Sequence, residues 1–319
     1  MKSSVVPQPL DHPMDEGLIP DPFPRRITLE LSASCNLSCV MCPRRYGSLS
    51  AGLMEWSLFE RIVEELSVHP VEAVVPFFRG ESLLHPNFME MITLLRQKNR
   101  ADIQLATNAL LLTPSLAEAL LELGINFISF SLDALSRETY ETIRRGGDFH
   151  RAMENVHTFL RLRKHMRHCP TTVQVSATEG PHNAHEIPAF VRYWKQRVDR
   201  VRIYPCHSEE GRYGRLSRPE LRRPAALREP CRKPFMDLVI YADGRVALCN
   251  HDWDRKGDDA IGSVQEKPIQ EIWKSPAYRD IRNKHLDRRW NDLEPCRHCD
   301  HWQGTLSGEA DTVGTLIES

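Results

Sequence analysis

The chain has 319 residues, 41% hydrophobic and 27% charged, with a formal net charge of −1. That balance suits one large or two modest globular domains, and it gives no electrostatic reason to expect a nucleic acid or an acidic membrane surface as partner. No apolar run reaches membrane-spanning length, and the opening "MKSSVVPQPLDHPMDEG" is Pro-rich and acidic where a signal peptide is continuously apolar, so a cytoplasmic location is expected.

Residues 1–25 read as an irregular leader. From residue 26, short β-rich runs alternate with amphipathic helical stretches. The runs are "RITLEL" (26–31), "AVVPFF" (73–78), "DIQLAT" (102–107), "NFISFSL" (126–132), "TVQVSAT" (172–178) and "RVRIYP" (200–205). Helix starts are marked by Ser57 with Glu60, Asn87 with Glu90, Thr113-Pro114, and Asn183 with Glu186; Gly124 closes the third helix. This rhythm predicts an α/β fold with a parallel sheet. Six units are too few for a closed eight-fold barrel, so a partial (β/α)6 TIM-like barrel is expected over residues 26–206. Ligands of such sheets bind at the carboxyl ends of the strands.

The rhythm stops near residue 206. Residues 207–230 are polar, Arg- and Pro-rich, and read as a linker. A smaller domain is expected over 231–303. It opens on "FMDLVIYADGRVALC", two β-like runs around an Asp243-Gly244 turn, followed by a helical stretch at 268–285 and a closing "CRHC". Residues 304–319 read as a flexible tail.

Nine cysteines, an odd number, fit metal ligands and thiols in a reducing compartment better than disulfides. Cys35, Cys39 and Cys42 crowd into "CNLSCVMC", just after the first predicted strand. Thiolates prefer zinc or iron–sulfur clusters. Three of them with no fourth nearby would leave one iron of a [4Fe–4S] cube open, as an enzyme needs for activating a small molecule. A zinc loop with a distant fourth ligand is the plainer alternative.

The spacing Cys35-x3-Cys39-x2-Cys42 resembles the radical S-adenosylmethionine (radical SAM) superfamily. The resemblance implies that the open iron chelates the amino and carboxylate groups of SAM, and that electron transfer yields a 5′-deoxyadenosyl radical that abstracts hydrogen from substrate. "FRGESLLHP" (78–86) resembles the family's Gly-Gly-Glu motif, with Arg79 where the first glycine usually stands. On that resemblance Gly80 lets the backbone approach the ligand and Glu81 accepts from the SAM ammonium. Asn108 is assigned to polar SAM contacts, Ser131 and Asp133 to the ribose hydroxyls, Arg144 to the SAM carboxylate, and Met41 to the adenine side.

Cys231, Cys249, Cys296 and Cys299 form a second, complete ligand set. Spacing alone leaves structural zinc and an iron–sulfur cluster equally open. The run from "DLVIYADGRVALCNHDW" to "CRHC" resembles the SPASM/twitch domains found behind radical SAM cores. With no cysteine after Cys299, it resembles the shorter, one-cluster twitch form. The resemblance implies one fully ligated auxiliary [4Fe–4S] cluster, suited to moving an electron.

That chemistry predicts a radical SAM oxidoreductase. One-cluster twitch enzymes act on aminocyclitols and related sugars of natural-product pathways, which implies dehydrogenation of a secondary alcohol, with flavodoxin or ferredoxin as electron donor. The base is sought among His207, Glu209, Glu210, Arg212 and Tyr213. Cys206, after the sixth strand, is placed where a thiol could return a hydrogen atom. The alternative is a peptide-modifying maturase or radical epimerase using Cys206. Only about 25 residues precede the core, too few for a leader-peptide-binding module, which favours a small-molecule substrate. A non-catalytic iron–sulfur or zinc protein is the third reading. His85, His251 and Asp252 are read as structural.

Overall fold

The structure is a computed structural model that describes residues 20–45, 52–206, 228–253, 261–299 and 315–318. Among the described residues nine strands form one sheet. Six of them, β1 (Arg26–Leu29), β2 (Ala73–Val75), β3 (Asp102–Thr107), β4 (Phe127–Ser131), β5 (Thr172–Glu179) and β6 (Arg200–Pro205), run parallel in chain order. Crossover helices join them: α1 (Trp56–Ser67), α2 (Phe88–Lys98), α3 (Pro114–Glu122), α4 (Arg137–Ile143), α5 (Phe149–His165) and α6 (Ile187–Lys195). This is the partial α/β barrel that the sequence rhythm predicts.

Alternation along the strands separates two faces. Ile128, Phe130, Val173, Val175, Val201 and Ile203 join Phe159, Phe190 and Trp194 in the apolar core. Ser129, Gln174, Ser176 and Arg202, on the alternate positions, are equally buried but polar. Gln174 Nε2 donates to Ser129 Oγ at 2.9 Å, and Ser129 Oγ to Ser176 Oγ at 3.4 Å. The barrel therefore has an apolar outer layer under the helices and a polar inner wall.

The second segment carries the expected hairpin and helical stretch. Its first strand, β7 (Asp237–Ile240), pairs in parallel with β1, in the register Arg26↔Asp237 to Leu29↔Ile240. β8 (Val246–Ala247) returns antiparallel to β7 after the Asp243-Gly244 turn, where Gly244 has φ +85°. The hairpin thus extends the barrel sheet past β1. α7 (Lys233–Met236) precedes it. The helix expected at 268–285 is two, α8 (Ile269–Trp273) and α9 (Pro276–Leu286). Ser275 caps the second, accepting from Tyr278 N at 3.2 Å, and Pro276 suits a first helical position. At the other edge, β9 (Thr315–Glu318) pairs antiparallel with β6, so the end of the expected flexible tail is held in the sheet.

Caps follow the sequence only in part. Thr113 Oγ1 accepts from Leu116 N at 3.2 Å, as Thr113-Pro114 predicts. Ser57 lies inside α1, which starts from Glu55. Asn87 caps α2 by position, without a side-chain bond. Asn183 and Glu186 do not form a capping box. Asn183 Nδ2 donates to Asp133 O at 2.8 Å, and the Glu186 carboxylate accepts from Leu135 N, Ser136 Oγ and Thr139 Oγ1, so both fasten the loop after β4.

A buried ion pair of the barrel also meets the hairpin segment. Arg79 Nε and Nη2 donate to the two carboxylate oxygens of Glu30, each at 2.7 Å. Arg79 Nη1 donates to Trp253 O at 3.0 Å, and its guanidinium lies 4.2 Å from the Tyr241 ring centroid. Glu30 also accepts from Ala242 N at 3.1 Å. Removing one member of such a pair strands the other charge in a dry interior. Arg79→Leu is expected to lower the unfolding free energy by about 3–5 kcal/mol in urea melts followed by circular dichroism. The double variant Glu30→Leu/Arg79→Leu should recover part of that loss. A single variant as stable as the parent would refute the clamp.

Candidate functional site

Cys35, Cys39 and Cys42 lie on the loop that leaves β1, at the carboxyl end of the parallel strands, and all three are half-buried. Ser38 N donates to Arg145 O at 3.0 Å and Val40 N to Ile143 O at 2.8 Å, which ties the loop to the end of α4. Asn108 Nδ2 donates to Asn36 Oδ1 at 2.8 Å, and the Arg44 guanidinium to Ala33 O. Burial pushes all three thiols up, Cys39 to about 12, while the Arg144 guanidinium pulls each of them down. A metal or cluster would bind the thiolates and reverse that burial effect.

The loop after β2 approaches the cysteine loop closely. Glu81 N donates to Ser34 O at 2.8 Å. A Cβ on Gly80 would stand 2.1 Å from Ser32 O and 2.4 Å from Ser34 O. Gly80 is thus required by packing of backbone on backbone. Glu81 is 2% exposed. Its carboxylate accepts from Thr107 Oγ1 and Asn108 N, both at 2.9 Å, and from Leu83 N at 3.3 Å. Burial raises it above the ordinary carboxylate range against those bonds and the pull of Arg144.

Arg144, at the end of α4, is buried and ion-paired to Asp133 at 2.7 Å. Burial alone would lower it, but Asp133 and then Cys39 raise it, so it stays charged. Asp133 holds φ +68° and is 1% exposed. Its other oxygen accepts from Thr178 N at 2.7 Å. The Asp133 carboxylate is thus turned inward onto Arg144 and β5. Asn108 likewise gives amide bonds to the protein itself, its Oδ1 accepting from Leu110 N at 3.0 Å. Ser131 ends β4, half-buried, and Met41 sits half-buried in the cysteine loop.

The second set gathers on the hairpin side. Cys249 follows β8 and is buried; burial first, then Cys296, Cys231 and Cys299, drive its thiol well up. His251 N donates to Cys249 Sγ at 3.3 Å. Among the described residues no three His, Cys, Asp or Glu side chains stand close enough to hold a single metal ion. Two further residues touch the set and were not singled out from the sequence. Arg228 Nη2 donates to Cys296 O at 3.0 Å and its guanidinium lies over Trp290. His285 lies 3.5 Å from Cys296 Sγ. Its signal was present in the buried stripe Tyr278, Ile281, Arg282, His285 of α9, where a histidine stands at a core position.

Cys206 follows β6, is buried, and its N donates to Glu179 O at 3.2 Å, so it lies at the carboxyl end of β5 and β6. His207 and Glu209, with Glu210, Arg212 and Tyr213, lie outside the described residues. His85 is structural, with Nε2 2.9 Å from Met54 O and Nδ1 accepting from Asn87 N. None of the nine cysteines is in a disulfide.

The family model described as the radical SAM superfamily matches residues 29–173, and that of the SPASM iron–sulfur cluster-binding domain matches 231–300. The chain belongs to the radical SAM superfamily. Its cofactors are SAM and [4Fe–4S] clusters, and the zinc alternative for the second set gives way to iron–sulfur. It is 27% identical over 168 residues to the tungsten-containing aldehyde ferredoxin oxidoreductase cofactor-modifying protein of Pyrococcus furiosus, covering 52% of this chain and 46% of that one. It is 32% identical over 188 residues to the GTP 3′,8-cyclase of Syntrophomonas wolfei, covering 56% and 52%. The chain thus spans about half the length of the curated relatives it matches. Among solved structures, BtrN in complex with AdoMet and 2-DOIA aligns with a TM-score of 0.59 at 18% identity, over 86% of this chain and 92% of BtrN. Streptococcus suis SuiB bound to precursor peptide SuiA aligns at 0.65 and 15%, over 82% and 67%. These likenesses show the fold shared by radical SAM enzymes. Among the described residues no helix is long and apolar enough to cross a membrane.

If Glu81 holds the SAM ammonium, as the resemblance implies, its raised pKa has a direct consequence. The protonated acid loses the charge that holds an ammonium, and SAM must displace that proton to bind. SAM affinity is expected to weaken as pH falls through a value above the ordinary carboxylate range. Glu81→Gln should bind more weakly throughout and lose that dependence. Anaerobic calorimetry across neutral and acidic pH measures both.

Proposed function

We propose that this radical SAM protein oxidises a small hydroxylated substrate, with one [4Fe–4S] cluster on Cys35, Cys39 and Cys42 and an auxiliary one on Cys231, Cys249, Cys296 and Cys299. The feature that supports this reading is the second cysteine set within the iron–sulfur domain: one [4Fe–4S] cluster would use Cys231, Cys249, Cys296 and Cys299 in full and leave no position for SAM or substrate. Such a centre is suited to accepting an electron. When bound, the cofactors at the first site supply a carbon-centred radical that removes a substrate hydrogen.

The chain's own residues arrange that chemistry. Glu81 holds the SAM ammonium, with the second lone pair of the Oε2 that faces Asn108 N available to it. Arg144, kept charged by Asp133, holds the SAM carboxylate. Gly80 and Asn108 fix the loops after β2 and β3 against the cysteine loop. The polar inner wall, with Ser129, Gln174, Ser176 and Arg202, favours a hydroxylated substrate over an apolar one. An aminocyclitol or related sugar of a natural-product pathway is the substrate class, His207 and Glu209 are the bases to test first, and flavodoxin or ferredoxin is the donor. BtrN, whose structure holds 2-DOIA, is a neighbour consistent with a small-molecule substrate.

The second reading is a peptide maturase or epimerase, favoured by the buried Cys206 at the carboxyl end of β6 and by the likeness to SuiB. Solvent deuterium entering the substrate carbon, and lost in Cys206→Ala, would select it.

Anaerobic iron counts test the two-cluster assignment: about eight irons per chain, falling to about four when Cys35, Cys39 and Cys42 become alanine. About four falling to none would refute the auxiliary cluster. Cys296→Ala should still cleave SAM yet lose the oxidised product, read by chromatography of a polyol and aminocyclitol panel.

A further inference from the structure

We propose that His285 raises the reduction potential of the auxiliary centre by bridging two of its ligands, and so makes that centre a better electron acceptor. The proposal rests on the reading of Cys231, Cys249, Cys296 and Cys299 as ligands of one cluster.

The ring is 1% exposed and faces the cysteine set from the last turn of α9. Cys231 N donates to His285 Nδ1 at 3.4 Å. An amide N–H needs a lone pair there, so in the neutral ring the proton sits on Nε2. Nε2 lies 3.5 Å from Cys296 Sγ, and its N–H donates to that sulfur. One imidazole thus reads two ligands, the first through its backbone and the third through its thiolate. The ring has no freedom to leave. Arg282, three residues earlier on the same buried stripe, donates to Pro234 O at 2.8 Å and Trp273 O at 2.9 Å, which pins α9 to α7 and α8.

One-electron reduction adds a negative charge to the cluster, shared in part by its thiolate sulfurs. A donor aimed at one of those sulfurs stabilises the reduced state more than the oxidised one, and a dry surrounding strengthens the difference. The electron comes from dithionite in a titration, and from the substrate radical in the proposed reaction. No bond to His285 forms or breaks, and its proton stays on Nε2. His285 is therefore a positioning and tuning residue, acting through Cys296.

The test uses the full chain with Cys35, Cys39 and Cys42 replaced by alanine, so that only the auxiliary centre gives a signal. His285 is compared with His285→Phe and His285→Gln by iron count and by dithionite titration followed by electron paramagnetic resonance. About four irons are expected in each. Reduction of the Phe variant should be about tenfold less favourable, a midpoint lower by about 59 mV for one electron. The Gln variant keeps a donor and should fall between. Intact iron with an unmoved midpoint in the Phe variant overturns the proposal and leaves the cluster standing. No iron in the His285 chain itself overturns both. Where the Phe variant does not assemble, ring-15N-histidine labelling of the His285 chain decides. A ring-nitrogen coupling to the reduced cluster supports the bridge, and its absence overturns it.

Discussion

The Glu30–Arg79 pair governs how the two halves of this molecule meet. Two charges taken out of water are tolerable only when each finds full compensation. Glu30 obtains it from Arg79 and Ala242 N, and Arg79 from Glu30, Trp253 O and the Tyr241 ring. Those contacts leave the end of β1, the loop after β2 and the hairpin β7–β8 in one arrangement. Tyr241 adds its hydroxyl, donating to Asp252 O at 2.6 Å, so the segment that follows Cys249 is held from two sides. The residue before Gly80 and Glu81 thus reaches across to the loop that follows Cys249.

The first site is built on the same logic of charges made tolerable by partners. Glu81 and Asp133 are both buried carboxylates pushed up by burial, and Arg144 opposes the shift in each. Asp133 has no route to solvent and serves Arg144. Glu81 is anchored by donors from β3, which aim it toward the cysteine loop. Gly80 makes the assembly compact, because two carbonyl groups occupy the space of a side chain.

The second centre is organised by residues distant in the chain. Arg228 stands before its first cysteine, His285 on α9 before its last two, and His251 N directly on Cys249 Sγ. Donors around thiolates adjust how readily a cluster takes an electron, and burial does the same through the dielectric. The cysteines specify what is bound, and this surrounding shell specifies how it behaves.

Much of this was legible in the chain because it is local. Period-two runs and intervening helical periods fix six strands, the crossover helices and the end of the sheet that carries the site. Cys35, Cys39 and Cys42 lie within eight residues, and the Asp243-Gly244 turn needs only its own backbone. Capping misled where a side chain had a better partner far away: Glu186 serves Ser136 and Thr139 rather than its own helix. Sequence pattern by itself determined the six parallel strands, their order and the cysteine sets, since these follow from spacing along one chain. Tertiary structure alone decided that β7 lies beside β1, that Asp133 faces Arg144, that Arg79 meets Glu30 across 49 positions, and that His285 meets Cys231 across 54. Those contacts depend on which buried charge or donor lacks a partner once the chain has closed, and no local pattern records that.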